Sequence, residues 1–171
     1  MESTAGHLLV ARPAMGDPNF DQTIIFMLEH NDEGALGVVV NRPTDTEVLE
    51  HLPDLLPHVS APTVFFVGGP VSTEHVVGVG RVGGSIETVD LQGLIDGEVE
   101  APDGLRLFAG YSGWSAGQLE AELIGDAWFV AEAFDGDVFG SHPDRLWRDV
   151  LRRQGRAVGR LALFPDSPMF N

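Results

Sequence analysis

Three groups of side chains in this sequence have types and spacings that chemistry could use. The first is GYSGW at residues 110–114, one residue away from the nucleophile elbow G-x-S-x-G, in which a serine stands on a tight turn between a strand and a helix. Asp135 or Asp137 and then His142 follow in the order Ser, Asp, His, so one reading is a serine hydrolase using Ser112, His142 and Asp137 or Asp135. Trp114 stands where the elbow needs a small residue, because that turn packs closely on its strand and helix. The competing reading makes Ser112 an ordinary turn hydroxyl.

The second group is Ser115, Gln118 and Glu122. Ser115-x-x-Gln118 has the form of a capping box, with the serine hydroxyl accepting from the Gln118 N–H and the glutamine side chain returning to the Ser115 N–H. Glu122 lies four residues on, along the same flank, beside Leu119 and Leu123. The third group is basic. Six of the ten arginines fall between Arg145 and Arg160, where Asp149 is the one acid. Such a stripe suits an acidic partner or a nucleic-acid backbone. It equally suits a solvated helix face that offsets an acidic remainder and a helix C-terminal dipole.

Other patterns carry less. GVGRVG at 78–83 spells G-x-G-x-x-G, but GSIETVD follows it, and a working dinucleotide fingerprint must open a helix whose N-terminus takes the pyrophosphate. A glycine-rich strand or hairpin is expected there instead. The six histidines show no metal-binding spacing, and scattered surface or turn positions are expected for them. With no cysteine in the chain, thiolate zinc sites and cysteine nucleophiles are excluded. We expect neither a metal nor a cofactor.

The elements that must position these groups follow from the apolar pattern. HLLVA (7–11), TIIFMLE (23–29), GVVVN (37–41), TVFFV (63–67) and AWFVAEA (127–133) read as strands, the second and third forming a hairpin in mid-sheet. TEVLEHLPDLL (46–56) reads as a short helix interrupted by Pro53, and Leu91 to Ile95 as one or two helical turns. Residues 105–124 read as strand, tight turn, helix. A helix is expected from about Pro143 to Gln154, with Leu146, Trp147, Val150 and Leu151 on its apolar face and Arg145, Arg148, Arg152 and Arg156 opposite. LALF (161–164) reads as an edge strand leading into a tail.

Composition bounds the function. A chain of 171 residues forms one domain most economically. No apolar run approaches the ~20 residues that span a bilayer, and Glu2 stands where an export signal would carry basic residues, so a cytoplasmic protein is expected. The net charge of −16 repels phosphate backbones and disfavours nucleic acid as a partner.

Several of these segments together resemble the AlgH/YqgE family of bacterial proteins: LLVARPAMGDPNFDQTIIFMLEHNDEGALGVVVNRP at 8–43, GGPV at 68–71, GYSGWSAGQLEAEL at 110–123, and an LWRDVLRRQG helix near the end. The resemblance runs from about residue 8 to 155 in order and spacing. It implies a bacterial cytoplasmic protein with an α/β (α+β) sandwich of mixed strands and helices packed outside, and it implies no settled reaction. A link to transcriptional regulation comes with the family, though this chain has no helix-turn-helix pattern. The expectation is therefore a single domain over 1–171, with 161–171 as an extended tail, acting as a non-enzymatic binding or regulatory protein with a protein partner. Its shallow surface is placed where Asn41, Arg42 and Pro43, then Gly68, Gly69 and Pro70, and then Gly110, Trp114, Gln118 and Glu122 come together.

Overall fold

The computed structural model describes residues 2–13 and 21–155. Its strands are β1 (His7–Ala11), β2 (Ile24–Asn31), β3 (Gly34–Val39), β4 (Pro43–Glu47), β5 (Val64–Val67), β6 (Val71–Val82), β7 (Ser85–Val89), β8 (Leu105–Ser115) and β9 (Trp128–Glu132). Its helices are short: α1 (Val48–His51), α2 (Leu91–Ile95), α3 (Gln118–Ile124), α4 (Asp135–Phe139) and α5 (Leu146–Arg153), with 3₁₀ turns at Pro53–His58 and Pro143–Arg145. The sheet is mixed. Its order is β4-β5-β8-β3-β2-β1-β9, and β6 pairs with both β8 and β7. Only β5 and β8 run parallel among these pairs, and all others are antiparallel.

Strict alternation along the strands explains why both sheet faces are apolar. On one face Leu8, Val10, Ile24, Phe26, Val38, Phe66 and Phe108 join Leu146, Trp147, Val150 and Leu151 of α5 in one buried cluster. Their neighbours Leu9, Ile25, Met27 and Val39 point to the other face and cluster with Trp114, Leu119 of α3 and Trp128. A third cluster joins Phe65, Leu105 and Leu107 to Val48, Leu55 and Leu94 beneath the short helices. A strand covered on both faces must be apolar at every position, which is what the unbroken runs in β1, β2 and β3 supply.

Two expectations are corrected here. Residues 110–114 make no turn: β8 continues to Ser115 because Ser112, Gly113, Trp114 and Ser115 pair with Gly37, Leu36, Ala35 and Gly34 of β3. The turn comes afterwards, at Gly117 with φ of +78°. His30, expected at a surface or turn, is a half-buried member of β2 with its side chain 4% exposed; its Nδ1 accepts from the Thr4 N–H at 2.9 Å while its Nε2 lies 3.3 Å from Glu120 Oε1. The glycine-rich GVGRVG segment is a hairpin of β6 and β7 that turns at Gly83 and Gly84, as its β-branched sequel implies. The LALF strand, the tail and Arg156 lie outside the described residues. Among the described residues, no helix is long and apolar enough to cross a membrane.

Candidate binding surface

Three of the expected segments do meet, and glycine is what lets them. Gly68 donates its N–H to Ala109 O at 2.9 Å, and its own carbonyl accepts from the Val39 N–H at 2.9 Å and from the Ser112 hydroxyl at 3.1 Å. Val67 N–H donates to Arg42 O at 2.8 Å. A Cβ at Gly68 would stand 2.3 Å from Gly110 O, and one at Gly69 would stand 2.2 Å from Tyr111 O. Gly110 itself bends the middle of β8, with φ of +75°. N-terminal to this bend, Phe108 and Ala109 of β8 lie between β5 and β6; C-terminal to it, β8 pairs with β3. Opposite the bend, β6 skips register between Val71 and Val76, and Ser72 takes φ of +49°. With Gly69, whose φ is +155°, three positive-φ residues converge here and mark a junction that its surroundings over-determine.

The role of individual residues differs from the expectation. Asn41 serves its neighbours: its Oδ1 accepts from the Ile24 N–H and its Nδ2 donates to Gln22 O, both at 3.0 Å. Arg42 Nη2 donates to Asp21 O at 3.0 Å. Gly68, Gly69 and Gly110 are buried, while Pro43 and Pro70 are exposed. Trp114 was expected to face a partner, yet it is only 7% exposed. It stacks edge-on against Trp128 at 6.3 Å, because position 114 alternates toward the α3 face of the sheet. Its Nε1 donates to Glu122 Oε1 at 3.0 Å, and Trp128 Nε1 donates to the same oxygen at 2.9 Å. Gln118 Nε2 donates to Glu122 Oε2 at 3.0 Å. Glu122, half-buried, thus anchors two indoles under α3 through one oxygen and Gln118 through the other. The capping box forms in half: the Ser115 N–H donates to Gln118 Oε1 at 3.0 Å, but Gly117, rather than Ser115, occupies the N-cap of α3.

The acyl-transfer arrangement is not assembled. Ser112 is fully buried on β8, with its hydroxyl donated to Gly68 O. Asp135 pairs with Arg81, and Asp137 holds Arg153 with contacts at 2.7 and 2.9 Å. His142 and Asp137 line one cleft, and Ser112 does not line it.

What the junction does leave open is a row of aliphatic side chains. Val67 faces Ala109 across the β5–β8 ladder, and Val76 faces Ala109 from β6, so the three share a face. One step back on that face, Phe65 and Leu107 are buried, and the position paired with Leu107, Gly78, is covered by Leu91 of α2, which a Cβ there would meet at 2.4 Å. The cover ends there. Val67 and Val76 keep 38% and 39% of their surface exposed, with Val71 beside them at 36%. Sequence pattern could not single out these valines, because their exposure depends on where α2 stops.

Among the described residues, a nine-stranded mixed sheet bent at a buried glycine junction, with five short helices outside it, defines a small α+β protein. The chain belongs to the AlgH-like family, whose model matches residues 8–159. It is 43% identical to a UPF0301 protein of Streptomyces avermitilis, a match covering all of this chain and 97% of the relative. A Streptomyces coelicolor relative is equally similar. Among solved structures, protein DIP2367 from Corynebacterium diphtheriae has a TM-score of 0.87 at 30% identity, covering 96% of this chain and 94% of that one. The AlgH protein from Pseudomonas aeruginosa has a TM-score of 0.70 at 31% identity, covering 95% of each chain.

Proposed function

We propose that this chain is a binding protein without a reaction of its own, and that it engages a basic protein partner through the face carrying Val67, Ala109 and Val76. The observation that carries the reading is the uncovered row itself: Val67 and Val76 stay exposed on either side of the half-buried Ala109, where the preceding row of the same face is sealed by α2. An aliphatic patch on a rigid sheet with polar surroundings is the composition of a partner-binding core. Charge selects the partner. Residues 32–103, which supply β4 to β7, carry thirteen acidic side chains against two arginines, and complementary potential steers association and excludes like-charged proteins. The buried Ser112 hydroxyl and the pairing of Asp135 and Asp137 with arginines support a non-catalytic role.

A photo-crosslinking residue placed at Val76 is expected to trap a partner that the same probe at Ile124, exposed on α3, does not. A folded V67E, V76E double variant is expected to lose that partner. Equal trapping from both positions, or full retention by the double variant, sinks the reading.

A further inference from the structure

The cleft between α4 and α5 shares no lining residue with the proposed docking face. It encloses about 350 Å³ and is lined by residues that include Gly136, Ser141, His142, Arg145 and Arg153. That volume is at the small end for a metabolite site.

Its construction is specific. The floor is Asp137, buried, accepting from the Phe134 N–H at 2.8 Å and gripped by both terminal nitrogens of Arg153. This pairing raises the Arg153 pKa above its ordinary value, so its charge is permanent. The back wall is fixed by Arg106, 1% exposed, whose guanidinium donates to Val138 O at 2.8 Å and Gly140 O at 3.1 Å. It also donates to Ser60 O and Ala61 O and lies 4.3 Å over the Phe66 ring. The rim is unspent. Among the described residues, the side chains of Ser141, His142 and Arg145 make no hydrogen bond or ion pair. Space is also left at Gly136, where a Cβ would meet nothing within 4 Å.

Charge in the lining balances, two arginines against two aspartates, on a protein of net charge −16. The two acids of the lining, Asp137 and Asp149, are answered by Arg153 and by Arg152, 3.9 Å from Asp149. Arg145 is left over. Around the fixed ion pair the lining holds a guanidinium, a hydroxyl and an imidazole that are not otherwise engaged, beside the exposed Asp149 carboxylate, whose paired cation stands 3.9 Å away. Planar guanidinium and hydroxyl donors suit the oxygens of a phosphate or carboxylate.

We infer that the cleft formed by Gly136, Ser141, His142, Arg145 and Arg153 is a binding site for the oxyanion of a small molecule. Of the four arginines in 145–153, Arg145 and Arg153 then belong to this site, while Arg148 and Arg152 stand outside its lining. Phosphate and carboxylate share this chemistry, and titration separates them.

The test is a titration of the isotope-labelled full chain, at low ionic strength, with inorganic pyrophosphate and in parallel with succinate, read by amide shifts. Saturable shifts at Gly136, Gly140, Ser141 and His142 are expected with at least one of the two, and the tighter one identifies the head group. Loss of the one charge-assisted contact in R145Q is expected to weaken binding about tenfold, while R12Q, outside the lining and paired with Asp126 instead, changes it less than about twofold. G136L, which fills the cleft from a position with open space, is expected to abolish it. Absence of saturation with both anions overturns the inference, as do equal losses in R145Q and R12Q, or unaltered binding by a folded G136L.

Discussion

At the scale of single residues, the molecule distinguishes sharply between glycines of similar backbone conformation. Gly110 and Gly117 have φ of +75° and +78°. A Cβ at Gly117 would meet nothing within 4 Å, whereas one at Gly110 would lie 2.7 Å from Gly69 O and 2.8 Å from Val71 O. G117A should therefore cost only the left-handed backbone penalty, about 1–2 kcal/mol. G110A adds a clash with backbone that cannot yield, for a total of about 3 kcal/mol or more. Urea unfolding of the two variants checks the contrast, and equal losses would show that the junction is softer than its geometry indicates. Glu122 is the second residue whose removal should be felt. Glu122→Ala takes the shared acceptor from the Trp114 and Trp128 indoles, so a loss of about 2 kcal/mol is expected. A shift in tryptophan emission should accompany it. Glu122→Gln, which keeps one carbonyl oxygen, should lose less.

At the scale of elements, the N-terminal segment is tied down by a chain of contacts from Thr4 through His30 to Glu120. The Glu120 carboxyl is held below its ordinary pKa, first by its own backbone N–H in the first turn of α3 and then by His30. A carboxylate depressed in the folded state contributes stability above its unfolded pKa, and the contribution disappears as pH falls through the folded value. E120Q should therefore flatten the acid limb of a stability profile below about pH 4.5 and leave the profile's shape near neutrality unchanged. Thermal midpoints collected from about pH 6 to pH 3 decide this, and a variant profile parallel to the wild type at low pH would count against the link.

Elements also show where sequence is informative. β1 (His7–Ala11) has the expected bounds, and α5 with its preceding 3₁₀ turn covers Pro143–Arg153, because strong apolar periodicity bounded by proline leaves little choice. Residues 110–114 misled for the opposite reason: two glycines and a serine have the local chemistry of a turn, and pairing with β3, a long-range contact, overrides it. α4 was invisible because DGDVF contains a glycine and has too few residues for a period; it is held by Arg106 and by the Asp137–Arg153 pair. Of the expected surface, the meeting of the three segments was legible, since glycines next to strand ends signal close backbone approach. Which side chains face solvent was not, because that depends on the reach of helices from elsewhere in the chain.

At the scale of the whole molecule, charge is the dominant unbalanced term. A net charge of −16 on 171 residues works against the compact state by self-repulsion. The described ion pairs, such as Arg153 with Asp137 and Arg81 with Asp135, act in the other direction. These two effects respond oppositely to salt. Repulsion among exposed carboxylates extends over many ångströms and weakens as the screening length falls from about 30 Å at 0.01 M to about 10 Å at 0.1 M. The Arg153–Asp137 pair has direct contacts, and its aspartate is 5% exposed, so screening reaches it far less. Adding sodium chloride over that range should therefore raise the urea midpoint of the isolated protein. The same addition should slow capture of a basic partner by the β4 to β7 region, since steering depends on the unscreened field. Stability and association rate thus move in opposite directions with one variable, and stopped-flow binding alongside equilibrium unfolding measures both. A midpoint that falls with salt would place the balance with the ion pairs instead. An association rate indifferent to salt would remove the acidic surface from partner selection.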